Sequence, residues 1–474
     1  MLFSSLIFIF TFLPIVLILY FTLFRKNILA RNILLLLASL FFYAWGEPGF
    51  VLIMLLSIVG NYLFGIVIAK KNNGGSKCIL ILNIIFNLGI LFIFKYLNFT
   101  LYNIAKIFGD IPQTNIILPI GISFFTFQAM SYVIDVYRGT VSVQKNLFYV
   151  ALYISFFPQL IAGPIVRYST IEEQIQERSI TFDDFSEGVR RFLIGFSKKI
   201  ILANNFALVA DSAFSVAGEN SLSIAFAWLG SIAYTLQIFC DFSAYSDMAI
   251  GLGRMFGFRF MENFNYPYIS ASVSEFWRRW HISLGMWFRD YVYIPLGGSR
   301  VKNKLYLVRN LFVVWILTGI WHGANWTFII WGMIYFCLLT FEKLSGITKR
   351  LKSNLGKLAY GIFTFFCVNF GWVLFRAENV SQAFIYIKSM FGLENNALFD
   401  NLALQYLNEN ICFFIIGIIY SIGAFKYLRT KFAQSSKLNS LAEWTGTLVY
   451  IGLFLISISY LVMGAYNPFI YFNF

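Results

Sequence analysis

The sequence predicts an all-α polytopic membrane protein with roughly ten to twelve transmembrane helices. Of its 474 residues, 59% are hydrophobic and only 12% are charged, and the mean hydropathy is +0.72. An ordinary soluble domain is about 45–50% apolar and about 25% charged. Long apolar runs recur along the chain, and one helical crossing needs about 20 apolar residues. This composition excludes a soluble enzyme, a coiled coil, a collagen and a disordered chain.

The N-terminal segment predicts both the first span and the orientation of the protein. Residues 1–24 are apolar and lack a basic start or a small-residue cleavage site, so we interpret them as a retained span. Arg25, Lys26 and Arg31 follow directly. Because basic residues favour the cytoplasmic side, the N-terminus is predicted to lie outside.

Two later segments predict departures from a simple bundle. Leu147–Val166 is long enough to span, but Pro158 and the pair Gly163-Pro164 interrupt it, so a re-entrant or bent helix is expected. Thr181–Lys199 is amphipathic and mixed in charge, which favours a helix in the membrane interface. The clearest later spans are Phe226–Ile250, Leu311–Leu339, Leu358–Phe375, Ile411–Phe425 and Gly446–Met463.

We expect one integral membrane domain over residues 1–474, with N-terminal spans in 1–145, a core in 146–340 and further spans in 341–474. Residues 254–309 form a basic aromatic block with nine basic and three acidic residues. Trp277, Trp280 and Trp287 lie among these charges. The block is either an anchoring belt at the interface or an electropositive mouth for an anionic cytoplasmic donor such as a coenzyme A thioester. The net charge of +14 is therefore interpreted as cytoplasmic loop charge and not as a nucleic-acid-binding surface.

His322 is the strongest candidate for chemistry. It stands within Leu311–Leu339, which carries no formal charge. On one continuous helix, Thr318 and Asn325 would share its face. An ionisable side chain at membrane depth normally faces the bundle interior, and burial there favours the neutral imidazole that a general base requires. The alternative is a hydrogen-bonded histidine that serves helix packing.

Two further polar residues allow two interpretations each. His281, in the basic aromatic block, is either a site residue or an interfacial histidine paired with Glu275 or Asp290. Asp241, within an apolar span, either contributes to the site or is the structural partner of an arginine of the block. No Gly-x-Ser-x-Gly motif and no spacing typical of a metal site occur in the sequence.

Two motifs resemble the signature of the membrane-bound O-acyltransferase family. They are Glu275–Gly298, which contains His281, and Thr318–Trp326, which contains His322. The segment Asp241–Asp247 and the ending Asn467–Phe474 are similar to the bacterial branch that O-acetylates alginate and peptidoglycan.

This resemblance implies a helical bundle around a central funnel, in the bacterial cytoplasmic membrane. It implies transfer of an acyl group from a cytoplasmic thioester, expected to be acetyl-CoA, to a hydroxyl, with no bound cofactor and no metal. In this branch, a separate SGNH-type transferase outside the membrane receives the acetyl group and modifies a polysaccharide. The alternatives are D-alanyl transfer to teichoic acid by a related enzyme, and an acyl transporter without chemistry.

The expected roles in the site follow from the resemblance and from side-chain chemistry. His322 would be the general base, and His281 would position the thioester or its leaving thiolate. Arginine suits bidentate phosphate contacts, and an amide can polarise a carbonyl. The substrate-binding candidates are Arg278, Arg279, Asn325, Asp241, Trp321 and Trp326.

Overall fold

The computed structural model of the chain describes residues 1–46, 48–70, 73–109, 111–112, 114–161, 163–217, 222–432, 436–468 and 470. These residues form helices and connecting segments without a strand, which confirms the predicted all-α class. The chain divides into two compact units, residues 1–192 with 245–261 and residues 193–244 with 262–474. The single domain over 1–474 stays a prediction. Of the ending Asn467–Phe474, only residues 467, 468 and 470 lie within the described part.

The α-helices are numbered in chain order. Up to residue 197 they are α1 Leu13–Phe21, α2 Ile28–Ala44, α3 Phe50–Lys70, α4 Asn73–Leu91, α5 Leu97–Phe108, α6 Ile122–Arg138, α7 Leu147–Ser155, α8 Phe157–Leu160, α9 Tyr168–Gln176 and α10 Phe182–Ser197. They continue as α11 Asn204–Ser215, α12 Ile224–Met255, α13 Val273–Arg279, α14 Ile282–Phe288, α15 Lys304–His322, α16 Trp326–Ser345, α17 Ile347–Arg350, α18 Asn354–Arg376, α19 Val380–Met390, α20 Asn401–Ser421, α21 Ala424–Phe432 and α22 Ser436–Val462. Short π-helical segments cover Phe8–Phe12, Phe92–Tyr96, Lys198–Ala203 and Arg289–Tyr293, and Pro267–Ile269 is a 3₁₀ turn.

Within the described residues, nine helical stretches are long and apolar enough to cross a membrane. Two shorter apolar stretches, Phe8–Phe21 and Ile28–Ala44, add to them. The later spans expected from the sequence largely coincide with α12, α18, α20 and α22, and with α15 and α16 together, so a multi-pass membrane protein is confirmed.

The predicted interruption of Leu147–Val166 is present. The helix stops at Ser155, Phe156 leaves the helical conformation with ψ of 111°, and a short helix resumes at Phe157 with Pro158 in its first turn. Proline fits there because the first helical N–H groups have no intrahelical partner. The freed N–H of Phe157 donates to Ser39 Oγ (3.0 Å), so a neighbouring helix replaces the lost hydrogen bond.

The helix predicted over Thr181–Lys199 is present from Phe182 onwards, but it is not a separate element. The helix that begins at Phe182 does not end near Lys199 but continues through a π-helical segment to Ser215. Lys198 and Lys199, which suggested a polar end, have buried side chains with partners inside the protein. Internal partners for the two ammonium groups therefore allow one long helix.

The stretch Leu311–Leu339 is two helices and not the single span that we predicted. Helix α15 ends at His322, Gly323 is extended, and Asn325 caps α16 by accepting the N–H of Thr327 (3.1 Å). The two helices form a tight hairpin. A Cβ on Gly319 would lie 2.5 Å from the carbonyl oxygen of Phe328, so only glycine permits this approach.

Candidate functional site

His322 is the last residue of α15 and lies in an aromatic cage. Its ring meets Trp321 and Trp331 edge to face, each with a centroid distance of 5.0 Å, and Phe375 at 5.1 Å. The side chain is buried, with 7% of the residue exposed. The cage combines the hairpin with the end of α18, so an apolar wall surrounds the imidazole on several sides.

His281 lies between α13 and α14 in a left-handed backbone conformation, with φ of 44°. Such a conformation is uncommon for a residue other than glycine and needs support from its surroundings. Asn263 supplies it: its carbonyl accepts the N–H of Ile282 (2.9 Å) and its side chain accepts the N–H and hydroxyl of Ser283 (3.0 and 2.9 Å). His281 itself is 3% exposed.

The rings of both histidines lie close to the indole of Trp321. The ring of Trp321 lies 5.0 Å from His322 and 6.1 Å from His281, between centroids. Trp321, predicted as a substrate residue, therefore contacts both candidate histidines, and it is 6% exposed. The structure thus brings together two sequence motifs whose histidines, His281 and His322, lie 41 positions apart.

The two candidate arginines of α13 differ in their surroundings. Arg279 pairs with Glu275 (2.8 Å) and donates to the carbonyl of Asn265 (3.2 Å), so it serves the local fold. Of these two arginines, only Arg278 is exposed. The other carboxylate considered near His281, Asp290, pairs with Arg289 (2.6 Å).

Asn325 and Trp326 do not join the cage. The carboxamide of Asn325 caps α16 and donates to the carbonyl of Glu378 (2.8 Å), so both of its ends serve the fold. Asn325 does not share a helical face with His322, because the helix ends between them. Trp326 is 52% exposed, whereas the cage residues are buried.

Asp241 forms an ion pair with Lys199 (3.0 Å), and both side chains are 1% exposed. We expected an arginine of the basic aromatic block, so the predicted partner was wrong. Lys199 also donates to the carbonyl of Pro468 (2.5 Å), which ties the C-terminal segment to this pair. Asp241 is therefore structural in this geometry.

The tryptophans of the basic aromatic block do not form an anchoring belt. Trp280 and Trp287 are 2% and 5% exposed. The ring of Trp277 packs between Trp315 (4.8 Å) and Tyr335 (4.8 Å) of the hairpin. These rings build the interior around the site, whereas belt residues would face the lipid headgroups.

Sequence reasoning missed three residues that shape the site: Asn263, Phe375 and Glu342. Phe375 follows His322 by more than fifty positions, and no local pattern connects them. Glu342 did give a signal, because it is the sole acidic residue of the hairpin sequence from Leu311 to Ser345. A carboxylate that is buried in this apolar hairpin needs a hydrogen-bonding or charged partner inside the protein.

Burial lowers the pKa of His281 to about 3, because the protein interior disfavours the charged imidazolium. His281 lies outside the nine helical stretches of the described residues that could span a membrane. Its imidazole is consequently neutral at physiological pH and cannot act as a fixed cation.

In the described residues, no group of three or more His, Cys, Asp or Glu side chains could hold a metal ion.

Acid should destabilise the protein through His281. Between pH 6.5 and about 3 the unfolded imidazole binds a proton and the folded one does not, so stability falls as the pH falls through this window. At pH 5 the loss relative to pH 7.5 should be about 2 kcal/mol. We expect His281→Asn, whose side chain tolerates the left-handed backbone, to lose less Tm between these pH values than wild type. Equal losses would contradict this prediction.

Comparisons with known proteins identify the same family that the motifs around His281 and His322 resemble. Residues 140–374 match the profile of the MBOAT, membrane-bound O-acyltransferase family. The chain is 42% identical to the probable alginate O-acetylase AlgI of Pseudomonas putida, with 100% of both chains covered. It is 36% identical to the peptidoglycan O-acetyltransferase of Helicobacter pylori, over 100% of this chain and 98% of the other. It is 31% identical to the teichoic acid D-alanyltransferase of Bacillus subtilis, over 56% and 71%. The chain therefore belongs to the membrane-bound O-acyltransferase family and is a multi-pass membrane acyltransferase.

Proposed function

We propose that the protein takes an acetyl group from cytoplasmic acetyl-CoA and passes it across the membrane for O-acetylation of a cell-surface or periplasmic polysaccharide. The observation that carries this proposal is the placement of His281 and His322 on one buried indole. The full-length similarity to an alginate O-acetylase and a peptidoglycan O-acetyltransferase supports acetyl as the group and a polysaccharide as the final acceptor.

In the mechanism that we propose, His322 accepts the proton of an acceptor hydroxyl while the hydroxyl oxygen attacks the thioester carbonyl. The new C–O ester bond forms as the C–S bond breaks, and the proton passes from His322 to the leaving thiolate. The aromatic cage surrounds the imidazole with apolar rings, and a neutral imidazole is the form that this role requires. General-base catalysis of this kind contributes about 10²–10⁴-fold to the rate.

His281 and Arg278 would hold the donor. His281 is neutral, so it would contact the thioester by hydrogen bonding and not by charge. Arg278, the exposed arginine of α13, would bind the donor phosphates. Arg279 and Asn325 are omitted from this mechanism because their side chains serve the local fold.

Charge placement supports transfer across the membrane. Helix α15 begins at Lys304, two residues after Lys302, and the last turn of α16 contains Lys343. These lysines lie at the end of the hairpin opposite His322, and basic residues favour the cytoplasmic side. Helix α15 has 19 residues and is about 28 Å long at roughly 1.5 Å per residue. His322, at the closed end, would then lie far from the cytoplasm. The same rule favours an N-terminus outside. The bacterial cytoplasmic membrane is a further part of this proposal. An N-terminal alkaline phosphatase fusion would test the orientation by its activity.

Acetyl-CoA turnover by the purified protein is the direct test. The full-length protein in lipid nanodiscs should release coenzyme A from acetyl-CoA, because acyl transfer or hydrolysis at His322 breaks the thioester. Wild-type protein should show this release above the level of empty nanodiscs. No release would exclude acetyl-CoA as the donor, and a transporter without chemistry would give the same result.

D-alanyl transfer is the second candidate, favoured by the similarity to teichoic acid D-alanyltransferases. Its donor would be a D-alanyl thioester on a carrier protein. The same nanodiscs supplied with that thioester distinguish the two donors.

A partner protein outside the membrane is a further part of the proposal. A secreted SGNH-type transferase would receive the acetyl group from this protein. Co-purification of the two proteins would test this interaction.

A further inference from the structure

A buried carboxylate, Glu342, connects the basic aromatic block to the hairpin that carries His322. Glu342 lies near the end of α16 and is 3% exposed. Its two oxygens accept the backbone N–H groups of Val273 (2.7 Å) and Ser274 (2.8 Å) at the start of α13. The hydroxyl of Tyr360, on α18, donates to the same carboxylate (3.2 Å). One side chain thus holds three helices together.

These contacts have a clear physical basis. The first N–H groups of a helix have no acceptor within the helix, and buried ones need a partner from elsewhere. The side chain of Ser272 accepts the N–H of Glu275 (3.1 Å), but it does not accept the N–H groups of Val273 and Ser274. Glu342 supplies both acceptors, and its negative charge is favourable at a helix N-terminus. Hydrogen bonds to an ionised group are roughly twice as strong as neutral ones.

Helix α13 runs from this anchor along α16 towards the site. Its first residues contact Glu342, and the ring of Trp277 in its middle lies 4.8 Å from Tyr335 and 5.4 Å from Trp331. Directly beyond its end, His281 meets Trp321 at 6.1 Å. The helix therefore acts as a strut that Glu342 anchors at Val273 and Ser274 and that ends two residues before His281.

Helix α16 sets the distance between the two ends of this arrangement. Trp331 contacts the ring of His322 at 5.0 Å. Glu342 follows Trp331 by eleven residues on the same helix, which is about 16 Å of helical rise. One rigid helix thus carries both the wall of the His322 cage and the anchor of the strut.

We propose that Glu342 is a positioning residue for acyl transfer. It fixes where α13 begins and thereby places Arg278 and His281 at the correct distance from His322. This inference rests on the proposed function, in which α13 holds the thioester on which His322 acts. Glu342 binds the backbone at the start of α13, so its effect passes through this helix.

Replacing Glu342 by glutamine should weaken donor binding more than it slows the chemical step. The amide keeps one acceptor oxygen and turns its NH2 group towards a backbone N–H, so the start of α13 moves. For full-length protein in nanodiscs with acetyl-CoA as the probe, we expect KM to rise about tenfold with a smaller change in kcat. Tyr360→Phe, which leaves both backbone hydrogen bonds intact, should keep KM within about twofold of wild type.

Two further measurements separate positioning from a general effect on folding. Hydrogen exchange of Glu342→Gln should show faster exchange of amides in residues 273–279, with those of residues 304–322 unchanged. Combining Glu342→Gln with Arg278→Gln should give a non-additive effect on KM, because the second change removes the group that the first misplaces. Glu342→Asp, with a shorter reach, should be intermediate and replaces the glutamine variant if that does not accumulate.

Unchanged KM, or additive effects of the two substitutions, would overturn the proposal. Unchanged exchange in residues 273–279 would also overturn it. If wild-type protein does not release coenzyme A from acetyl-CoA, the proposed donor is wrong, and the exchange measurement alone decides whether Glu342 anchors α13. The two failures are therefore distinguishable.

Discussion

Replacing His322 by alanine should abolish polysaccharide O-acetylation in cells that depend on this protein. The substitution removes the group that accepts the hydroxyl proton, so the rate should fall by about 10²–10⁴-fold. The measurement is the acetate content of the isolated polysaccharide at equal abundance of the membrane protein. Release of coenzyme A by purified His322→Ala should fall in parallel, because the same base serves each acyl acceptor.

Two variants make this result specific to chemistry. His322→Gln fills much of the same cage and keeps a polar side chain, so it should be inactive while it retains the Tm of wild type. Cys337→Ala changes an exposed residue on α16 and should keep full activity. Acetylation at the wild-type level by either His322 variant would remove His322 from the mechanism.

Replacing Asp241 by asparagine should destabilise the protein strongly. Asp241 and Lys199 are 3.0 Å apart with side chains only 1% exposed, so the substitution leaves a buried ammonium without its counter-charge. Breaking a buried pair from one side costs about 3–5 kcal/mol. We expect a large fall in Tm and in membrane abundance. The double variant Lys199→Met with Asp241→Leu should recover much of the loss, because no charge then stays buried.

A second aspartate of the same sequence segment provides a matched control. Asp247 pairs with Arg191 at 2.8 Å, but these side chains are 15% and 24% exposed. Because water reaches this pair, Asp247→Asn should cost only about 1 kcal/mol or less. Equal losses from the two substitutions would show that burial does not set the strength of the Lys199–Asp241 pair.

The position of His322 shows where prediction from local pattern ends. Its burial was predictable, because a lone histidine in an uncharged stretch has few other places. The break after it was not, since Gly323 and Asn325 are compatible with one long apolar helix and with a capped hairpin. The choice depends on the close contact of α15 and α16 at Gly319, a tertiary contact.

The basic aromatic block shows a similar division. Its charge and its tryptophans marked it as unusual, and the motif around His281 was recognisable. Which rings face inward, and which arginine is exposed, depended on neighbours far along the chain. Glu275 engages Arg279 and leaves Arg278 outside, whereas Trp277 is drawn into the hairpin.

The amino-acid sequence was sufficient to predict the class of molecule, the membrane location, the two candidate histidines and the family signature. These properties follow from composition, from apolar runs and from short motifs, which depend on neighbouring residues alone. Three-dimensional packing was needed to show that both histidines contact Trp321, that Asp241 pairs with Lys199 and that Glu342 anchors α13. The physical reason is burial: a charge or polar group inside the protein must find its partner in space, and the sequence order does not specify which one it meets.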